Sequence, residues 1–326
     1  MQLVPWQPAA SLEMLRTRAG LLAGIRRFFA ELGVLEVETP VCSRSGTTDP
    51  AIESLCTRYT GPGAVGGLRL YLQTSPEFPM KRLLAAGSGP IYQICRVFRD
   101  GELGRRHNPE FTLLEWYRPG FDHLALMEEV TALVGSLLPG ARAEQRLSYR
   151  EAFEGFLHID PHTATLEALR HCAREQGLVG VEDLELEGRD GWFDLLLSHL
   201  IEPHLGRGRL TYLYDYPASQ AALSRIRPGD PPLAERFELY LEGMEIANGF
   251  HELSDPGEQR ERFEADNATR KARGQSGVEM DRQLLGALEA GLPDCAGVAL
   301  GIDRLLMVLT GQTDIRQVLA FPCTPE

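Results

Sequence analysis

Four separated stretches of this chain carry side chains suited to a nucleotide triphosphate. Arg99 and Arg304 are permanent cations with planar forks that match phosphate oxygens or stack on an aromatic ring. Glu245 and Glu252, which flank A-N-G-F, are hard oxygen ligands of the kind that hold Mg2+ through one or two carboxylates plus substrate phosphates. The chain contains no G-x-x-x-x-G-K-[ST], and no G-x-G-x-x-G follows a strand, so side chains rather than a backbone cradle would have to hold the phosphates. Each residue alone has a plainer reading. An arginine at a strand end is usually a surface ion pair, Asp303 and Arg304 open and decorate a helix, and Gly297 and Gly301 are packing glycines. Taken singly, these plainer readings prevail; only order and context can shift the balance.

The elements that must position these groups centre on Ile91 to Tyr117, I-Y-Q-I-C-R-V-F-R-D-G-E-L-G-R-R-H-N-P-E-F-T-L-L-E-W-Y. This reads as two strands joined by a loop dense in charge. The two-residue period puts Phe111, Leu113, Glu115 and Tyr117 on one face and Glu110, Thr112, Leu114 and Trp116 on the other. A half-buried hairpin with solvated charges fits the segment equally well. Before it, Ser11 caps a helix to about Leu32, closed by Gly33. V-L-E-V-E-T-P then alternates as a strand from Val34 to Pro40. Ser43 to Gly67 reads as loop with one short strand at Ala51 to Arg58, Leu68 to Thr74 as strand, and Ser75 as a cap with Pro76 at the first helical position.

Beyond the hairpin, Asp122 caps a helix to about Leu138, Ser148 and Glu151 form a capping box, Thr165 caps a helix ending near Gly177, and a further helical pattern covers Gly191 to Leu205. Asp122 to Leu205 therefore reads as a mainly helical insert in a single domain. Strand character returns at Leu210 to Tyr216 and Arg236 to Leu253. A last helix pattern runs from Pro256 to before Gly274. The strand Gly297 to Gly301 and the apolar helix from Ile302 follow.

Composition is that of an ordinary soluble globular protein, and 326 residues can bury a large core. No apolar run approaches the roughly 20 residues of a membrane helix, and M-Q-L-V-P-W-Q-P lacks the order of a signal peptide, which points to the cytoplasm. The six cysteines form no C-x-x-C pair, which argues against a zinc site and a disulfide framework and for reduced thiols used mostly in packing. The net charge of −13 disfavours broad attraction to nucleic acid.

Jointly, G-V-L-E-V-E-T-P, F-R-D-G-E-L-G-R-R-H-N-P-E-F-T-L-L-E-W-Y and A-L-G-I-D-R resemble motifs 1, 2 and 3 of the class II aminoacyl-tRNA synthetases. T-S-P-E-F-P-M-K-R-L-L, H-N-P-E-F-T and G-M-E-I-A-N-G-F-H-E-L are similar to the lysine-specific branch. Motif 1 begins within the first 40 residues, so the expectation is a truncated form with no anticodon-binding domain. That is the pattern of the lysyl-tRNA synthetase paralogues that join (R)-β-lysine to translation elongation factor P.

The resemblance implies an α+β fold, a six- or seven-stranded antiparallel sheet flanked by helices, with motif 1 forming a homodimer interface. It implies ATP and Mg2+, with Arg99 on the α-phosphate and adenine sandwiched between Phe111 and Arg304. Asp100, Gly101, Glu102, Asn108, Ile246 and Gly301 join the nucleotide site, and Glu245 and Glu252 hold the metal. Ser75, Pro76, Glu77, Glu115, Tyr117, Asn248, Glu252 and Ala299 surround (R)-β-lysine or lysine, with Glu115 or Glu77 the partner of its ammonium. In two places the chain departs from the family pattern. Gly101 stands where motif 2 usually has glutamate, with Glu102 next, and Ala299 stands where lysyl-tRNA synthetases usually have glycine. Two other readings compete: an ammonia-dependent asparagine synthetase, and a synthetase-like regulator without chemistry.

Overall fold

A computed structural model describes residues 6–140, 142–181, 184, 186 and 188–323. Met1 to Pro5, part of the segment weighed against a signal peptide, lies outside them. Backbone contacts divide the chain into two compact units, one of Met1–Phe121, Ser136–Pro139 and Leu253–Glu326, the other of Asp122–Gly135 and Gly140–Glu252. Elements are numbered along the chain.

In the first unit, helix α1 (Leu12–Glu31) starts where Ser11 accepts a hydrogen bond from the Met14 amide at 3.1 Å. It ends at Gly33, whose φ of 67° is the left-handed stop a glycine supplies freely. Its buried stripe of Met14, Leu21, Ile25 and Phe29 faces the sheet. There Phe29 stacks on Tyr92 at 4.5 Å and meets Trp116 edge-on at 5.4 Å. Strand β5 (Ile91–Phe98) pairs antiparallel with β6 (Glu110–Pro119), and β6 pairs antiparallel with β12 (Cys295–Gly301). Because α1 covers the Thr112, Leu114 and Trp116 face of β6, the Phe111, Leu113, Glu115 and Tyr117 face is left for chemistry. The hairpin is thus no half-buried edge: Thr112 to Tyr117 are buried on both faces of a central strand.

Strand β1 (Leu35–Glu36) is shorter than the Val34 to Pro40 expected. It pairs parallel with Ile91 and Tyr92 at the sheet edge, and its last ladder bond runs from the Val37 amide to the Tyr92 carbonyl, 2.9 Å. A separate small sheet is ordered β2 (Cys42–Ser43), β4 (Leu68–Leu72), β3 (Cys56–Tyr59): β4 is the strand expected at Leu68 to Thr74, β3 begins later than the Ala51 to Arg58 expected, and β2 falls at the start of the stretch read as loop. After it, α2 (Glu77–Ala85) begins. Helix α7 (Pro256–Ala272) is capped by Asp255, and α8 (Arg282–Gly291), absent from the sequence reading, is capped by Asp281 and buries Leu284, Leu285 and Leu288. Helix α9 (Ile302–Thr310) follows β12 directly and stops at Gly311.

In the second unit, strands run in the order β11 (Met244–His251), β10 (Leu233–Leu241), β8 (Leu210–Pro217), β7 (Glu144–Ser148), with β9 (Ile226–Arg227) also on β10. The run from Arg236 to Leu253 folds as a hairpin because Glu242 and Gly243 both take positive φ, 51° and 70°, as a two-residue turn requires. Helix α3 (His123–Leu137) starts at Asp122, whose carboxylate accepts from the Ala125 amide at 2.8 Å. Helix α4 (Tyr149–Leu157) has the expected capping box, α5 (Leu166–Glu175) is capped by Thr165, and α6 (Asp190–Leu196) continues through a wider turn to Ile201. Strand β7 falls inside the stretch read as helical, because only Leu147 in E-Q-R-L-S is apolar and no alternation announces it. Tyr149, Phe153, Trp192, Phe193, Leu213 and Tyr216 build this unit's core.

All six cysteines are free thiols. Only Cys172 and Cys295 are buried, and Cys42, Cys56 and Cys323 are exposed, so packing is not their main use.

Candidate active site

The first unit gathers most of the expected residues on the open face of β6. Register places Ala299 opposite Glu115, Gly297 opposite Tyr117 and Gly301 opposite Leu113. Directly opposed residues of an antiparallel pair share a face, so β12 sets only the small residues Gly297, Ala299 and Gly301 beside this face of β6. Glu115 is 2% exposed and accepts two short bonds, from the Ser75 hydroxyl to Oε2 at 2.6 Å and from the Tyr117 hydroxyl to Oε1 at 2.7 Å. Burial, and next the neighbouring Glu77, push its carboxyl up to about 7 against the lowering influence of those hydroxyls and of Lys81. Ser75 Oγ also accepts from the Glu77 amide at 3.0 Å, holding the first turn of α2 beside Glu115 while Pro76 occupies the cap position.

Glu77 has a partner of its own. Lys81, 1% exposed and one turn along α2, donates to Glu77 Oε1 at 2.6 Å. Of the two carboxylates considered for a substrate ammonium, Glu77 therefore already holds a cation. Lys81 does not figure in the sequence reading, though its i,i+4 spacing from Glu77 in E-F-P-M-K was a usable signal.

On the other end of the same face, the Arg99 guanidinium lies over the Phe111 ring, 5.1 Å from its centroid. Arg99 Nη1 is 3.5 Å from Glu102 Oε1, and Arg99 Nε donates to the Thr74 carbonyl at 3.4 Å. Gly101 explains the motif departure: its φ of 78° is a conformation L side chains rarely adopt, so the loop places its carboxylate one position later. Asp100 is exposed, and its Oδ1 accepts from the Gly101 amide at 2.9 Å.

Arg304 donates to the Arg106 carbonyl at 3.4 Å and sits 2.7 Å from His107 Nε2. Burial, followed by the Arg304 charge, holds the His107 imidazole below its ordinary range. Asn108 donates to the Glu110 carbonyl at 2.6 Å and accepts from the Cys323 amide at 2.9 Å, so both ends of its amide are engaged in holding the loop. Asp303, read as helix decoration, is 1% exposed. It accepts from the Thr112 amide at 2.6 Å and pairs with Arg18, tying the start of α9 to β6 and α1.

The second unit holds Glu245, Asn248 and Glu252. In an unbroken strand a separation of seven residues would send Glu245 and Glu252 to opposite faces. The ladder with β10 slips instead, pairing Leu239 with Ala247 but Tyr240 with Glu245, so Ile246 is an extra residue. The bulge returns Glu245 to the face of Asn248, Phe250 and Glu252. The same face of β10 carries Arg236, Glu238 and Tyr240. Arg236 is over the Tyr216 ring at 4.3 Å, pairs with Glu238, and donates to Asn248 Oδ1 at 3.3 Å. The sequence reading did not single out Arg236 or Glu238, although charges alternating in E-R-F-E-L on a buried strand are unusual enough to mark them. Glu252 is 1% exposed, bridges to Ser224, and its carbonyl accepts from Arg225 at 3.0 Å.

The family description "tRNA synthetases class II (D, K and N)" matches residues 4–325. The chain belongs to this family of class II synthetases. Among its relatives, proteins named elongation factor P--(R)-beta-lysine ligase from Salmonella gallinarum and Klebsiella pneumoniae are each 52% identical over 316 residues, covering 97% of this chain and 97% of the relative. The protein of the same name from Salmonella dublin matches to the same extent.

Proposed function

We propose that this protein activates (R)-β-lysine with ATP as an aminoacyl adenylate and transfers it to a lysine side chain of translation elongation factor P. The observation that carries the reading is Glu115, a buried carboxylate held by two hydroxyls, with only the small residues Gly297, Ala299 and Gly301 on the facing stretch of β12. A buried anion of this kind is suited to a substrate ammonium and ill suited to the carboxylate of aspartate, which disfavours the asparagine synthetase reading. Relatives sharing half their residues carry the ligase name.

In this reading the substrate carboxylate oxygen attacks the α-phosphorus of ATP, the bond to the bridging oxygen breaks, and pyrophosphate leaves. The acceptor amine of elongation factor P then attacks the carbonyl of the adenylate and AMP leaves. Arg99, already seated on Phe111 beside the pocket, neutralises charge growing on the α-phosphate. Arg304 serves the same nucleotide. Glu115, Ser75 and Tyr117 fix the amino acid, and such positioning is worth on the order of several kcal/mol. Glu245 and Glu252, two oxygen donors on one strand face with Glu252 buried, suit Mg2+, which supplies charge neutralisation for the triphosphate when bound. A homodimer through motif 1 belongs to the same proposal and is supported by Leu32 and Leu35, both exposed at the end of α1 and in β1. Among the described residues no helix is long and apolar enough to cross a membrane, in keeping with a cytoplasmic enzyme.

Pyrophosphate exchange with (R)-β-lysine, α-lysine and aspartate, with and without elongation factor P, tests the reading. Exchange strongest with (R)-β-lysine and label transferred to elongation factor P is expected. Silence with all three amino acids would favour the regulator, and efficient charging of tRNA would overturn the ligase.

A further inference from the structure

The face of the second unit's sheet turned away from Glu245, Asn248 and Glu252 carries a cluster that the proposed reaction does not use. His251 at the end of β11 meets Glu235 of β10, with His251 Nδ1 2.5 Å from Glu235 Oε2. His123, the first residue of α3, is 2% exposed, and neither of its ring nitrogens has a hydrogen-bond partner. Donor atoms of His123, Glu235 and His251 all lie within 4.8 Å of one another. Asp215 joins from β8. It sits where β10 carries one extra residue, with a left-handed φ of 56°, and its Oδ1, buried without a hydrogen bond, lies 3.7 Å from His123 Nε2, a long ion pair when the imidazole is protonated.

Two imidazole nitrogens and a carboxylate oxygen, all buried and none of them hydrogen-bonded, form an arrangement that native interiors avoid unless something joins them. The charges point the same way. Arg227 pairs with Asp215 Oδ2 at 2.7 Å and approaches Glu235 Oε1 at 3.6 Å, so one guanidinium faces two carboxylates. We propose that His123, His251, Glu235 and Asp215 bind a divalent transition metal, zinc foremost, as a structural site. Two imidazoles with two carboxylate oxygens form a borderline donor set that selects zinc over Mg2+. Neighbouring donors around tetrahedral zinc stand about 3.4 Å apart given bonds of about 2.0–2.2 Å. Four protein donors leave no open position, so the ion would tie α3, β8, β10 and β11 together without performing chemistry. The absence of cysteine pairs could not reveal such a site, because its ligands come from four elements spread between residues 123 and 251.

The test uses tag-free, full-length protein purified without chelators. Elemental analysis should find one zinc per chain that excess Mg2+ does not displace, and Co2+ added to stripped protein should give the visible d–d bands of a four-coordinate ion, bleached by zinc. His123→Ala should weaken zinc binding by at least ~100-fold, since losing even an outer-shell partner costs about 10–100-fold. Glu252→Gln should keep its zinc. A folded wild-type protein without zinc and with a flat Co2+ spectrum overturns the proposal. So does zinc retained at full strength by His123→Ala, or lost equally in Glu252→Gln. Should His123→Ala fail to fold by far-UV circular dichroism, the wild-type Co2+ spectrum and the Glu252→Gln content still decide.

Discussion

The buried carboxyl of Glu115 links folding, substrate binding and pH in a way that one substitution can expose. Its pKa of about 7, against an ordinary 4.5, means that the folded protein holds a proton which the unfolded chain releases between those values. Below pH 4.5 both states are protonated and no penalty exists. As pH rises from 4.5 to 7 the unfolded state gains progressively, and above 7 the folded state carries the full cost of a buried anion. At about 1.4 kcal/mol per pKa unit, the penalty totals roughly 3 kcal/mol. Glu115→Gln removes the titration while keeping the shape. Urea denaturation of the substrate-free protein and the variant, run at several pH values from 4.5 to 8, should therefore show the variant gaining stability relative to the parent by about 3 kcal/mol across that window. The lysine ammonium reverses the balance, because it favours the ionised carboxylate. Apparent affinity for (R)-β-lysine should rise about tenfold per pH unit below 7 and level off above it in the parent. It should be flat and weak in Glu115→Gln. A stability difference independent of pH, or parallel affinity profiles, would refute the reasoning.

Other perturbations separate the remaining roles. Arg99→Ala should lower kcat/KM for pyrophosphate exchange by about 10²–10³ with an unchanged melting curve, as loss of a charge-stabilising donor does. Asp303→Asn leaves Arg18 buried beside a neutral group and should cost about 3–5 kcal/mol in urea unfolding. Inserting one residue between Leu239 and Tyr240 gives Ile246 a partner, restores strict alternation, turns Glu245 to the opposite face, and should abolish Mg2+-dependent exchange while far-UV circular dichroism is preserved. Ala299→Gly removes the methyl opposite Glu115, and the ratio of kcat/KM for (R)-β-lysine over α-lysine should fall by about tenfold or more, in the range one methylene is worth.

The helices whose ends carry their own chemistry were legible from residues alone. Ser11, Ser148 with Glu151, and Thr165 each cap the helix expected of them. The central hairpin and its two faces were legible for the same reason, since period two is visible in F-T-L-L-E-W-Y. What escaped depends on distant contacts. Strand β7 is paired by β8 and not by its own pattern, and β1 is cut short because the sheet offers it only the end of β5. Charged partners were similarly hidden. Nothing in sequence order says that Arg99 lies over Phe111, or that Lys81 already engages Glu77. The positive φ of Gly101 gives a physical reason for a departure that looked like a defect in the motif.

The extra residue at Ile246 also limits how this strand pair can be moved. Anyone transplanting the two carboxylates into another β-hairpin by copying their separation would point one of them into the apolar layer. The portable unit is the carboxylates together with the slipped ladder between Leu239 and Tyr240 and the Glu242-Gly243 turn that fixes its register. A pattern search that treats strands as strictly two-periodic would discard this sequence for the same reason, taking the mark of the site for evidence against it.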